Sequence, residues 1–377
     1  MTDLPDMLTH SRALIRSLQD PDGAYPASPT FSAYRGFCWF RDGSFIADGM
    51  SNVGEAESAT AFFDWCGHVV MRHQSTIQRA VEAAAQGAPL PDGSMLPTRF
   101  TLCGGLGKDD WWDFQLDGYG TWLWAVCQHA SRYGLDLARW RKPIELTTAY
   151  LICSGQRPCY DWWEEHCEHV HVSTLGCVAA GLRSVAAAGV LDAADAAEAY
   201  SSGQDILELI GTRGIRDGHL VKWLDGDGVD ASLIALIAPM NLIEPGSYVG
   251  VNTIEAVETD LRRDGGVYRF KDDTFYGGGR WPLLTCFLGL AKAAVGDYDD
   301  AKNCLDWAVG SADPAGDLPE QVDGGKLLAP DQRQQWVERW GPVATPLLWS
   351  HAMVLKLAAE LADISATVSL TSGEVVG

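Results

Sequence analysis

Apolar residues recur along this chain at the three-and-four spacing of amphipathic helices, and the strict alternation of strands is scarce. In segment 56–73, Ala59, Phe62, Phe63, Cys66, Val69 and Val70 share one face, leaving Glu55, Glu57, Asp64 and His68 largely elsewhere. The same reading predicts helices over 8–18, 44–52, 119–133, 139–154, 172–188, 193–210, 231–237, 247–261, 281–295, 298–309 and 343–361. Asp192, just before an alanine-rich run, reads as an N-cap. Between helices lie long stretches rich in Gly, Pro, Asp and Trp: 21–43, 87–117, 155–171, 263–280 and 311–342. Connections of that length inside a compact domain usually carry function. About a dozen helices with alternating short and long connections predict an all-α fold. If the helices alternate between an inner and an outer ring, an (α/α)6 barrel follows, and the long loops at one end converge on a central pocket. No linker-like tract divides the chain, so residues 1–364 are read as one domain and 365–377 as a polar C-terminal tail.

The charge balance narrows the partners. A formal charge of −22 argues against a nucleic-acid backbone or an anionic membrane surface and favours a small neutral ligand. No apolar run approaches the roughly 20 residues of a membrane span, and the start lacks a basic segment followed by an apolar one. The ten cysteines, among them Cys127, Cys177, Cys286 and Cys304, fall in apolar helical stretches and suit buried free thiols in a reducing cytosol. Cys153 and Cys159 are the one pair spaced to bridge a short loop. A cytoplasmic location is expected; the oligomeric state stays open. Fifteen tryptophans are many for this length, and indoles serve either a large core or stacking against sugar faces.

Two segments carry the candidate chemistry: Asp161-Trp162-Trp163-Glu164-Glu165 and Leu318-Pro319-Glu320-Gln321-Val322. Each sets a carboxylate among aromatic or turn-forming residues, and Trp39-Phe40-Arg41-Asp42-Gly43 adds a charged pair beside an indole. Hydrolysis of a sugar acetal needs one carboxyl to protonate the leaving oxygen and another to activate water on the opposite face. Trp162 and Trp163 could desolvate one glutamate and keep it protonated. Taken alone, Glu164-Glu165 reads more simply as a surface acidic pair beside two core indoles and Glu320 as a helix-start glutamate, while Arg41-Asp42 fits a plain salt bridge. In a sugar pocket Arg41 and Asp42 would instead grip vicinal hydroxyls, and Gln321 would orient Glu320 or hold a water. His166, Cys167, Glu168, His169 and His171 lack the second half of a metal site and are read as a polar loop at the pocket mouth. Gly277-Gly278-Gly279 lacks the strand–helix setting of a nucleotide loop and reads as a tight turn beside Tyr276. No metal or organic cofactor is expected.

Taken together in chain order, these segments resemble glycoside hydrolase family 15, the group of inverting glucoamylases, glucodextranases and α-glucosidases. Trp39-Phe40-Arg41-Asp42 resembles the family's W-x-R-D segment, which implies that Arg41 and Asp42 bind the non-reducing glucose. Trp111 with Gln115-Leu116-Asp117-Gly118 is similar to the segment whose tryptophan packs near the acid. The match of Asp161–Glu165 to D-x-W-E-E implies Glu164 as general acid and Glu165 as a supporting residue, while Arg269 to Tyr276 resembles R-x-x-x-D-T, implying Arg269 as a substrate contact. Leu318–Val322 resembles the P-E-Q-V segment, implying Glu320 as general base, and Tyr34 is the nearest candidate for the family's water-holding tyrosine. The resemblance implies a barrel acting as an exo-α-glucosidase on small neutral oligosaccharides; bacterial members often carry a β-sandwich before the barrel, and the early first helix departs from that, so none is expected here. Trp39, Trp111, Trp162 and Trp163 are expected to enclose one glucose. α-1,6-Linked isomaltose is the favoured substrate, with α-1,4 maltosides, a trehalase-like activity, or a catalytically silent carbohydrate-binding barrel as alternatives.

Overall fold

A computed structural model describes residues 3–111 and 114–373. Its helices, in chain order, are α1 (Leu4–Leu18), α2 (Phe40–Asn52), α3 (Ala56–Arg72), α4 (Gln74–Ala85), α5 (Asp117–Tyr133), α6 (Arg141–Ser154) and α7 (Val172–Ala187). There follow α8 (Ala193–Arg213), α9 (Ile234–Ile237), α10 (Tyr248–Leu261), α11 (Pro282–Ala294), α12 (Tyr298–Gly310), α13 (Arg333–Trp340) and α14 (Leu348–Gly373). Strand is confined to three short antiparallel pairs among the described residues, the first joining Phe37–Trp39 to Arg99–Thr101.

Helix contacts close a ring. α2 packs on α5, α5 on α7, α7 on α9, α9 on α11, α11 on α14, and α14 returns to α2. Outside it, α3, α6, α8, α10, α12 and α1 each pack against the inner helix beside them. This is the expected (α/α)6 barrel. Burial follows the same division. In α2 every residue from Phe40 to Ser51 is buried, as a helix covered on all sides requires. In α8, only Ala199, Gly203, Ile206 and Ile210 are buried, one stripe of an otherwise polar helix. Asp192 caps α8 as expected, its carboxylate accepting from the N–H groups of Ala194 and Asp195.

Close approach between α5 and α7 depends on glycine. A Cβ on Gly120 would lie 2.3 Å from the carbonyl oxygen of Cys177, and one on Gly181 would lie 2.4 Å from that of Gly120. Because both obstacles are backbone, no side chain can turn aside. Gly120→Ala is therefore expected to destabilise the fold by about 1–3 kcal/mol or more, read as a lower midpoint in urea unfolding.

Two helices were absent from the sequence reading. α4 buries only Ile77 and Ala80, so its apolar signal is thin. α13 buries no residue, and lies inside the stretch 311–342, where the sequence pattern predicts a loop. Residue 364 does not end the ordered helix either: α14 continues to Gly373, and residues 374–377 of the expected tail lie outside the described residues. All ten cysteines are unpaired, Cys153 and Cys159 included. No helix among the described residues is long and apolar enough to cross a membrane.

Candidate active site

The inner helices begin at the same end of the barrel, and the long loops meet there. Arg41 and Asp42 stand in the first turn of α2, Asp117 opens α5, Trp281 precedes α11, and Leu347 and Trp349 flank the start of α14. Together with loops 161–165, 269–275 and 318–320, all of these but Asp117 surround a cavity of about 170 Å³. Tyr34, Trp39, Arg41, Asp42, Trp111, Trp162, Trp163, Glu164, Glu165, Arg269 and Glu320 all line it. Segments scattered over nearly 300 residues of chain thus form one site.

Glu164 sits at the tip of a tight turn. Its φ of 59° is left-handed, a conformation that costs a non-glycine residue about 1–3 kcal/mol and persists only where its surroundings impose it. Asp161 imposes it here: one carboxylate oxygen accepts the N–H of Trp163 and of Glu165, both at 2.9 Å, while its carbonyl accepts the N–H of Glu164. The Glu164 side chain then projects into the cavity. Its Oε1 accepts from the Trp39 indole at 3.1 Å, Gln115 at 3.2 Å and Arg41 at 3.3 Å. All three donors converge on that oxygen, so Oε2 is the one left to face a ligand.

Glu320 is held differently. Its backbone N–H donates to Ala344, the neighbouring Pro319 carbonyl accepts from Ser350, and the Leu318 N–H donates to His351. These bonds strap the 318–320 segment to the start of α14. The Tyr34 hydroxyl donates to Glu320 Oε1 at 2.8 Å, while Oε2 is buried with no protein hydrogen bond. Gln321 turns away. It accepts from the Gly279 N–H and donates to the Phe275 carbonyl, so it neither orients Glu320 nor reaches the cavity.

Two arginines balance the carboxylates. Arg41 meets Asp42, Asp117 and Glu164, each at 3.3 Å. Burial disfavours its cation, but Asp117, Asp42 and Glu164 together hold its pKa above the ordinary value. Arg269 is likewise bracketed by Asp273 at 2.5 Å and Glu165 at 3.1 Å. Asp117, expected in the pocket, is fully buried, does not line the cavity and accepts from Arg41 instead. Burial raises the Asp42 carboxyl to about 7 and Asp117 to about 6, with Arg41 opposing in each case. It pushes Glu320 furthest, from 4.5 to about 8, against the hydrogen bond from Tyr34 and the field of Arg269.

A carboxyl whose pKa is higher folded than unfolded stabilises the fold below its unfolded value and loses that contribution as pH rises through the folded one. For Glu320 the window runs from 4.5 to about 8. Glu320→Gln should therefore raise the melting temperature above that window by an amount on the order of a few kcal/mol of stability, and change it little at pH 4. Equal shifts at both pH values would contradict this.

Aromatic residues outside the expected set complete the walls. Trp336 and Trp340, four apart on α13, line the cavity with Phe275, Trp281 and Trp349. Trp340 stacks on Trp111 with ring centroids 5.7 Å apart. Helical spacing of two indoles was visible in the sequence, but nothing local assigned that segment to the pocket. The 166–171 loop, by contrast, does not line the cavity: His169 stacks on Trp223 at 4.1 Å, and the His171 ring bonds the His166 carbonyl. The residues 277–279 turn where expected, with left-handed Gly277 and Gly278 beside Tyr276.

Comparison with known proteins places this geometry in a wider set. The family model described as glycosyl hydrolases family 15 matches residues 6–313. An isomaltose glucohydrolase from Kribbella flavida is 50 % identical over 359 residues, covering 95 % of this chain and 93 % of that protein. A solved wild-type glycosidase superposes with a TM-score of 0.93 at 50 % identity, covering 95 % of this chain and 97 % of that one. A bacterial glucoamylase complexed with acarbose shares the fold at a TM-score of 0.72 and 18 % identity, covering 95 % of this chain and 55 % of that one.

Proposed function

The chain belongs to glycosyl hydrolase family 15 and is a glycoside hydrolase, and we propose that it cleaves small α-glucosides, isomaltose first, releasing one β-glucose from the non-reducing end. The observation that carries this reading is the pair Glu164 and Glu320, both lining one aromatic cavity and each held by its own partners. Glu164 donates its proton to the glycosidic oxygen as the bond to C1 breaks. Glu320 takes a proton from a water molecule that attacks C1 from the opposite face, which inverts the anomeric centre. The buried oxygen of Glu320 without a protein partner is the one suited to that water.

Arg41, Asp42 and Arg269 hold the glucose hydroxyls, backed by Asp117, Glu165 and Asp273. Trp39, Trp111, Trp162 and Trp163 enclose the ring. A neutral sugar suits a pocket in a chain of charge −22 better than an anionic ligand does. The 50 % identity to an isomaltose glucohydrolase across nearly the whole chain favours the α-1,6 linkage. Trp336 and Trp340 add to the walls of a cavity of about 170 Å³, and so small an enclosure favours a short substrate over one whose remote units contribute binding energy. Ten unpaired thiols, seven of them buried, suit a reducing, cytoplasmic compartment.

Proton NMR during early hydrolysis of isomaltose, maltose, trehalose and a long dextran tests each part. On isomaltose and maltose, β-glucose should appear first in excess of its equilibrium share, since the reducing-end glucose leaves in its own anomeric mixture, with isomaltose cleaved fastest. An initial excess of α-glucose over its equilibrium share from these two would refute inversion, faster cleavage of maltose or trehalose would refute the linkage, and faster cleavage of dextran would refute the short pocket.

A further inference from the structure

Behind the turn that carries Glu164 lies a buried cation that does not line the cavity. Lys222 Nζ sits 3.0 Å from Asp161 and 2.6 Å from Asp230, with the Phe270 ring beneath it at 3.6 Å. All three charged side chains are at least nine-tenths buried. The two carboxylates do different work. Asp161 uses one oxygen to hold the N–H groups of Trp163 and Glu165 and turns the other toward Lys222. Asp230 accepts from the Trp163 indole and from both the N–H and the hydroxyl of Ser232. Lys222 is fixed in turn by its own backbone, whose carbonyl accepts from Val172 at the start of α7 and whose N–H donates to Gly228.

We propose that Lys222 is a positioning residue for the acid: through Asp161 it fixes the 161–165 turn and so sets where Glu164 meets the glycosidic oxygen. The reason is electrostatic. Without the cation, Asp161 and Asp230 face each other as buried like charges, and one of them takes up a proton or moves away. A neutral or displaced Asp161 is a weaker acceptor for the two N–H groups that hold Glu164 in its left-handed conformation. Trp163 keeps its bond to Asp230, whose other partners come from Ser232, so the sugar wall is affected less than the acid.

This inference rests on Glu164 being the acid, and the test separates the two. Isomaltose needs its leaving group protonated, whereas α-glucosyl fluoride does not. Lys222→Met should lower kcat on isomaltose about tenfold or more, part of the 10²–10⁴ that proton transfer supplies, with little change in KM. On α-glucosyl fluoride its loss should be less than about threefold, since no acid assistance is required there. The double variant Lys222→Met/Asp230→Asn removes the unpaired carboxylate yet still accepts from the Trp163 indole. Asp161 still lacks its cation but no longer faces a second charge, so the double variant should fold more readily and keep the asymmetry at reduced size, and a measurement survives poor folding of the single variant. Equal losses on both substrates, or full activity on isomaltose, overturn the role of Lys222. Glu164→Gln is measured alongside: if it too lacks the asymmetry, the acid assignment fails, and if it alone shows it, only the positioning role fails.

Discussion

Glutamine at position 164 or 320 should remove about 10²–10⁴-fold of turnover on isomaltose while glucose still binds with near-normal affinity. Either replacement keeps shape and hydrogen-bonding capacity and removes only the ability to exchange a proton. The expected signature is a fall in kcat with KM almost unchanged, since the lost interaction belongs to the transition state. Their surroundings make the two variants differ in a second respect. Glu164→Gln leaves three donors, Trp39, Gln115 and Arg41, aimed at an amide oxygen instead of a carboxylate, whereas Glu320→Gln relieves a buried carboxyl of its desolvation. The first variant should be neutral to slightly destabilising and the second stabilising at alkaline pH. A Glu320→Gln enzyme with nearly full activity would mean that another group draws the proton from water.

Arg41→Met should be the most damaging substitution of the site. One guanidinium answers three carboxylates, those of Asp42, Asp117 and Glu164, and it is itself buried. Removing one partner from a buried charge cluster typically costs about 3–5 kcal/mol, because the remaining charges are left uncompensated. Asp42 and Asp117 already lie above their ordinary value through burial, with Arg41 opposing. Without it they rise further. Raised folded pKa values mean stability retained at low pH and lost as pH increases, so the variant should be closest to wild type near pH 4 and weakest above neutrality. Urea unfolding at several pH values measures this directly. A deficit independent of pH would show that Arg41 contributes packing rather than charge balance. Activity should fall with stability at every pH, since Glu164 also loses a donor.

Much of this protein was legible locally. Helical periodicity located most of the barrel helices, because an amphipathic or fully buried helix repeats its apolar positions every three to four residues whatever it packs against. Asp192 as an N-cap is equally local. The carboxylates were legible as candidates by residue type, and their roles only through the resemblance of five segments in chain order; that Asp161 holds the turn through the amides of Trp163 and Glu165 is known from the structure. Where the local signal was weak, the reading failed. α4 buries two residues and α13 none, so neither leaves an apolar stripe strong enough to mark it.

Other features depend on residues that meet only after folding. Closure of the ring requires α14 to lie against α2 across some 300 residues of chain, and no periodicity encodes which helix neighbours which. Trp336 and Trp340 are two indoles on a polar helix until Trp111 and the barrel mouth give them a surface to cover. Gln321 was read as a partner of Glu320 from adjacency alone, yet the chain direction there sends the two side chains to opposite sides. Lys222 and Asp230 stand in an unremarkable stretch, and only the approach of Asp161 makes them a buried cluster. The sequence by itself determined which groups could donate or accept a proton, since that is a property of the side chain. Tertiary structure decided which carboxyls are desolvated, which arginine faces which acid and how much space a sugar has, because burial and electrostatic fields are sums over neighbours distant in the chain.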